Sequence, residues 1–279
     1  MLELKGELRE RSQSIPYEAL FSEDYQIYGL DDILSSIRKA KENEDIKGIY
    51  LQLDYLTAGY AAIEEIRNAL LDFKQSGKFV VAYADNYQQN LYYLATAADK
   101  VLMNPKGSLD WRGLASTPVF YKDLLEKIGV EMQIFKVGTY KSAVEPFIAT
   151  EMSPANREQV TAYLQSVWGE ITSAVSATRN VSEDKLNQYA DQMMTLQPSE
   201  EAVKYGLVDT LMYKNDIRDY LKPLAGIDKD DRLPLLCLQD MINVRKNVPK
   251  DKSGNIVAVY YASGEIIDYE SSSFSDQPT

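Results

Sequence analysis

The 279-residue sequence contains no histidine and a single cysteine, Cys237. Without imidazole there can be no Ser-His-Asp triad, no Cys-His pair and no metal site that depends on histidine. Any general base must be Lys, Asp, Glu, Tyr or Cys. One thiol excludes an intrachain disulfide and a CxxC redox site, and it fits either side of a membrane. Basic charge is also scarce: 30 Lys and Arg face 42 Asp and Glu, for a net charge of −12. No basic run appears, which argues against a nucleic-acid partner. No stretch approaches the roughly 20 apolar residues that span a bilayer. Met1–Glu7 lacks the basic start and apolar core of a signal peptide, so either a cytosolic protein or a leader outside this sequence is expected. There is no GxSxG elbow, and the loop Asp54–Gly59 has too few glycines for a phosphate cradle.

What remains is an ordinary mixture, 45% hydrophobic and 26% charged, with helical and strand periods in alternation. Leu2–Leu8 reads as a strand. Asp31-Asp32 forms an acidic first turn ahead of Ile33, Leu34, Ile37 and Ala40 at helical spacing. Further strands are expected at Gly48–Asp54, Lys78–Tyr83, Val101–Met103 and Glu131–Val137. Between them lie helices at 60–75, Leu91–Ala98 and Pro118–Ile128. This alternation predicts a mostly parallel sheet with its chemistry beyond the carboxyl ends of the strands. Residues 154–223 read as mainly helical, starting at Ser153-Pro154 and carrying an apolar stripe of Val160, Leu164, Val167, Trp168 and Ile171, which is expected to be packing surface. Further helix starts fall at Ser182 and Pro198, and Leu233–Leu238 is a strand candidate. Lys246–Gly254 looks like a linker. Beyond it, Asn255–Tyr261 followed by Gly264-Glu265-Ile266-Ile267-Asp268 echoes Gly6-Glu7-Leu8-Arg9-Glu10, either as the start of a second repeat or as a closing strand with a tail.

Most charged clusters, Asp31-Asp32 and Glu64-Glu65 among them, are expected to be solvated. One segment differs. Phe135–Phe147 (FKVGTYKSAVEPF) leaves the expected strand through Gly138 and places Lys141 near Val144, Pro146 and Phe147. A lysine acts as a general base only when desolvation brings its pKa from about 10.4 toward 7, a change of roughly 4 kcal/mol. A neighbouring carboxylate such as Glu145 opposes that unless it points away. The residues alone leave Lys141 either a surface lysine or a base.

The run GTYKSAVEPF resembles the lysine motif of the signal peptide peptidase A family, the S49 serine peptidases. Tyr92–Val101 (YYLATAADKV) resembles the family segment that follows Ser-Gly-Gly. The resemblance covers most of residues 1–268. It implies an α/β fold of ClpP/crotonase-like class, with Lys141 as general base of a Ser-Lys dyad. Here Gln89, 52 positions before Lys141, stands in the nucleophile's place, and an amide cannot attack as an alkoxide does. The glycine pair expected for oxyanion donors reads Leu56-Thr57-Ala58-Gly59. The chain is therefore similar to the N-terminal half of the long, tandem form. The expected boundaries are a lobe over 1–150, its helical extension over 151–245, a linker over 246–254 and the start of a serine-bearing repeat over 255–279. The resemblance further implies apolar peptide substrates such as cleaved signal peptides, no cofactor or metal, and a homo-oligomer with 154–190 as subunit contact. It also implies an inner-membrane, periplasm-facing location through an anchor outside this sequence. Two other readings stay open: a non-catalytic scaffold lobe, and an acyl-CoA enzyme of crotonase type, for which the loops at 54–59 and 85–91 offer too few small residues.

Overall fold

The computed structural model describes residues 1–11, 27–244 and 258–260. The chain divides into two compact units, Met1–Arg245 and Lys246–Thr279. The expected linker, and the expected strand Asn255–Tyr261 apart from Ala258–Tyr260, lie outside the described residues. Those three residues carry no regular structure.

The first unit is built on a six-stranded sheet in the order β2-β1-β3-β4-β5-β6, parallel throughout. The strands are β1 (Leu2–Arg9), β2 (Ile27–Gly29), β3 (Gly48–Thr57), β4 (Phe79–Ala84), β5 (Lys100–Met103) and β6 (Thr210–Leu211). The α/β alternation expected from the sequence is thus observed. Gly6, with φ of 93°, sits where the β1–β3 register shifts, a backbone state that favours glycine. In β3, Ile49, Leu51 and Leu53 face the larger core, formed with α1 (Leu30–Glu42) and α2 (Tyr60–Lys74), while Tyr50 faces a smaller one. The smaller core is closed by Ile217 and Leu221 of a short C-terminal helix. Beyond it the second face is polar: Tyr50 donates to Gln52, and Gln52 to Glu3.

After β4 comes α3 (Gln89–Ala95), and after β5 the chain forms α4 (Lys122–Lys127), α5 (Glu145–Ile148) and the long α6 (Pro154–Arg179). Among the described residues four more helices follow: α7 (Glu183–Asp191), α8 (Ser199–Lys204), α9 (Ile217–Leu224) and α10 (Leu238–Asn243). An aromatic series, edge-to-face at its first two contacts and tilted at its third, welds these parts together. Ring centroids lie 5.9 Å apart for Tyr87–Tyr92 and 5.6 Å for Tyr92–Trp111, and Trp168 of α6 follows at 4.9 Å from Trp111. Each buried polar end finds a carbonyl: Tyr92 donates to Leu207 at 2.7 Å, and Trp111 to Leu186 at 2.8 Å. Helix α6 begins as the sequence predicts, with Pro154 in its first turn and the Ser153 hydroxyl accepting from the Asn156 amide. It ends at Asn180 in the left-handed region, with Arg179 bonded to Asp209 and to the Gly206 carbonyl.

Three expected elements differ. Residues 131–137 form no strand, because no described strand pairs with them; Phe135 and Val137 are 94% and 91% exposed. The helix expected over Pro118–Ile128 is confined to Lys122–Lys127, which buries none of its residues and packs mainly on α5. Residues 233–237 are irregular, since Pro234 lacks a ladder donor, and Cys237 instead starts α10 by donating its amide to Asp240 at 2.7 Å. From 112 to 170 one residue, Glu145, is buried. The apolar stripe on α6 joins the core from Val167 onward; Val160 and Leu164 stay half-exposed.

Arg67 is buried between α2 and α6. It donates to the Ala174 carbonyl at 3.1 Å and lies over the Tyr93 ring, while its Nε has no partner among the described residues. Burial lowers its pKa from the ordinary value. Arg67→Met, which removes a desolvated charge at similar volume, is expected to leave stability unchanged or raise it by about 1 kcal/mol in urea unfolding. A loss above about 2 kcal/mol would show the guanidinium to be a net stabiliser.

Candidate active site

The carboxyl end of the sheet is where β3 hands over to α2 and β4 to α3. The turn after β4 lies against the 104–110 loop, with the Tyr87 amide donating to Ser108 and the Asp110 amide to Tyr87. The approach is close enough that a Cβ on Gly107 would fall 1.8 Å from the Asp85 carbonyl oxygen, so only glycine fits. Burial pushes the Asp85 carboxyl up, but bonds from Tyr83 and Asn104, each 2.6 Å, outweigh it and leave the group below its ordinary value.

Gln89, the first residue of α3, is 6% exposed. Its Oε1 accepts from the backbone amides of Arg112 and Gly113, both at 3.0 Å. Its Nε2 donates to the Tyr60 hydroxyl at 3.2 Å and the Gly113 carbonyl at 3.1 Å. A primary amide offers two N–H donors and two acceptor lone pairs, and all four are used. Burial raises the Tyr60 phenol above its ordinary pKa, keeping it neutral at pH 7. The preceding Gln88 accepts from the Leu56 amide at 3.1 Å, so the β3 turn that the resemblance assigns to oxyanion donors is capped from within the lobe. A cavity of about 480 Å³ adjoins this network, with Tyr60, Gln89, Asp110 and Arg112 in its wall. Asp110 pairs with Arg112 and accepts from Thr195. Among the described residues, no group in this wall is a free nucleophile.

Lys141 lies elsewhere. It is exposed, follows Gly138 (φ of 102°), and leads into a turn of 3-10 helix at Ser142–Val144 and then α5. It is absent from the wall of the Gln89 cavity. The segment is held by its flanks: the Tyr121 amide donates to Pro146 at 2.6 Å, the Tyr121 and Phe147 rings stack, and Tyr140 donates to Glu158. Glu145 is turned toward α6. Its carboxylate accepts from the Ser153 hydroxyl at 2.6 Å, the Ser153 amide at 3.3 Å and Asn156 Nδ2 at 2.9 Å. The Ser153 hydroxyl bond, with help from Asn156, holds its pKa below the ordinary 4.5. The structure thus places Gln89 and Lys141 on separate parts of the lobe. Sequence reasoning missed Gln88, Tyr60 and the Arg112-Gly113 backbone; the run Gln88-Gln89-Asn90 was the one visible sign of a polar cluster.

Two outcomes follow from these bonds. Gln89→Ala strands two amides, a carbonyl and a phenol beside a cavity that water can enter, and is expected to cost about 2–4 kcal/mol in urea unfolding; Gln88→Ala, which frees one amide, should cost about 1 kcal/mol. Equal, negligible losses would show that the network is not formed. Glu145 has a depressed folded pKa, so its contribution is complete above about pH 5 and fades as pH falls through the folded value. Glu145→Gln is therefore expected to lower stability at pH 7 and to converge with the wild type as pH falls below the folded pKa. A gap that persists in acid would place the stabilisation elsewhere.

The chain is 35% identical over 253 residues to "Protease 4" of Haemophilus influenzae, covering 86% of this chain and 40% of that protein. It is 37% identical over 257 residues to "Protease 4" of Salmonella typhi, covering 89% and 41%. A chloroplastic "Serine protease SPPA" of Arabidopsis thaliana is 30% identical over 218 residues, covering 78% and 32%. The chain spans about two-fifths of the length of the first two relatives. Residues 72–228, which include α3, the 104–113 loop and the Lys141 segment, match the profile of Peptidase family S49, and the chain belongs to that family.

Proposed function

We propose that this chain acts as the lysine-bearing half of a longer Ser-Lys peptidase that cleaves apolar peptides such as spent signal peptides. The observation that carries this reading is the pairing of a saturated amide at the nucleophile position with an exposed lysine on a segment that has no core of its own. Residues 119–148 expose Val119, Leu124, Ile128, Phe135, Val137 and Tyr140. A surface so apolar is one that another protein surface covers. A serine-bearing half, laid over it, would strip water from around Lys141 and bring a hydroxyl within reach. Glu145 is already engaged by Ser153 and Asn156, and among the described residues it forms no ion pair with Lys141.

In this scheme the neutral Lys141 Nζ takes the proton of the serine hydroxyl as its oxygen attacks the scissile carbonyl. The resulting ammonium gives that proton to the departing amine, and an acyl-enzyme remains. Lys141 then takes a proton from the attacking water and returns it to the serine oxygen as the acid product leaves. The scheme calls on no metal or cofactor. The same reading places the longer protein at the inner membrane, facing the periplasm through an anchor outside residues 1–279; no described helix is long and apolar enough to cross a membrane. The N-terminal half of α6, where Tyr163 is exposed, is the proposed subunit contact.

A scaffold role for the lobe draws on the exposure of Lys141. The reading frame beyond Thr279 separates the two, since the peptidase reading requires a second repeat with Ser-Gly-Gly before an aromatic pair. In that longer protein Lys141→Ala is expected to lower hydrolysis of an apolar peptide about 10²–10⁴-fold or more, while Gln89→Ala, assayed below its melting temperature, leaves turnover near wild type. Residues 1–279 alone should show no turnover. Hydrolysis by residues 1–279, or full activity of Lys141→Ala, would overturn the proposal.

A further inference from the structure

The cavity beside Gln89 takes no part in the scheme above, and Lys141 is absent from its wall. Its side-chain hydrogen-bonding groups fall on one side of the ledger. Three amides line it: Gln88, Gln89 and Asn90. Each spends its oxygen on backbone N–H groups: Gln88 Oε1 on Leu56, Gln89 Oε1 on Arg112 and Gly113, and Asn90 Oδ1 on Leu91. A backbone N–H can only donate, so these bonds fix which end of each amide is oxygen and which is nitrogen. Gln89 Nε2 is therefore the donor to the Tyr60 hydroxyl at 3.2 Å. The phenol oxygen accepts that bond and keeps its own proton to give. That proton, Gln88 Nε2 and Asn90 Nδ2 have no acceptor among the described residues.

Asp110 and Arg112 are the charged residues of the wall. The Arg112 Nε lies 3.1 Å from Asp110 Oδ1, and the Thr195 hydroxyl donates to the same oxygen at 2.8 Å. Arg112 is exposed, and it pairs with no second carboxylate among the described residues, so its two terminal nitrogens remain as donors. Four side chains thus offer donors, against one Asp110 oxygen not yet engaged. A cation would meet mainly donors. A neutral amide would bring N–H groups of its own and one oxygen. A carboxylate brings two oxygens and no donor, and a guanidinium matches its shape.

We propose that this cavity binds a carboxylate borne on a short apolar chain. One oxygen takes the Tyr60 O–H and the other a terminal nitrogen of Arg112, while the chain lies on Leu114 and Ala115. The volume of about 480 Å³ lies within the usual range of small-molecule sites. Two sources of such an acid share this chemistry: the C-terminal end of a peptide and a simple organic acid. A peptide end would be the acid product of the proposed hydrolysis, so that assignment alone rests on the peptidase reading. Binding is measured without turnover, and its failure would leave the role of Lys141 untouched.

The probe is N-acetylleucine, titrated calorimetrically at pH 7 into residues 1–279, with N-acetylleucinamide as the uncharged comparator. Saturable binding of the acid with a Kd of about 1 mM or lower is expected, and binding of the amide about tenfold weaker or less. Tyr60→Phe, which keeps the ring and removes the phenol proton, is expected to weaken binding of the acid about tenfold, and Arg112→Gln by as much. Thermal unfolding checks that each variant is folded; if Tyr60→Phe is not, Arg112→Gln, a change on an exposed side chain, decides. Isocaproate, the same chain without a peptide group, separates the sources: weaker binding than N-acetylleucine assigns a peptide end, equal or tighter binding a simple organic acid, and both support the site. No saturable binding of either acid, amide binding as tight as that of the acid, or unchanged affinity in the folded variants would each overturn the proposal.

Discussion

The carboxamide of Gln89 governs how the carboxyl end of this lobe is read. Its two acceptor sites take the amides of Arg112 and Gly113, and its two donors go to Gly113 and Tyr60. Those bonds fix the 110–113 loop against the start of α3, while Gln88 does the same for the end of β3. On the proposed reading Gln89 stands where a hydroxyl nucleophile would be needed, and in this fold it serves as a strut. Backbone donors that could steady a developing oxyanion are instead satisfied in the resting fold. A lobe arranged in this way has nothing at that point for a base to activate.

The lysine motif obeys a different constraint. An element is stable only if its apolar side is covered, yet residues 112–170 bury one side chain, the carboxylate of Glu145. That carboxylate ties α5 to the first turn of α6, and the Tyr121–Phe147 stack ties α4 to α5. The segment holds its shape through such local bonds while presenting Phe135 and Val137 almost fully to solvent. Lys141 sits on that surface. Whatever covers the apolar side chains also controls the hydration of the ammonium, so assembly and activation become one event in the proposed mechanism.

Much of the frame was legible because its periods are local. The alternation in Leu2–Leu8 and the 3.6-residue spacing of Ile63, Ile66, Leu70 and Phe73 each report one buried face, and the structure buries those helical residues. The motif around Tyr92 and Asp99 proved to be architecture. Tyr92 is a core ring bonded to Leu207, and Asp99 accepts from the Val80 amide while pairing with Lys74. Residues 131–137 misled because an apolar, β-prone run signals a strand only where a neighbour exists to pair with it, and none is described. The two-residue β6 is too short to carry a period. Gln89 was recognised as a departure from the motif, but its bonding could not be read, since the Arg112 and Gly113 partners are backbone atoms 23 and 24 positions away.

The account stands on one division of labour: base within residues 1–279, nucleophile outside them. Treatment of the longer protein with a serine-directed fluorophosphonate, followed by peptide mapping, tests it most directly. The account predicts a single adduct on a serine beyond Thr279, and its loss in the Lys141→Ala protein. An adduct on any serine within residues 1–279, or labelling that persists without Lys141, would contradict it.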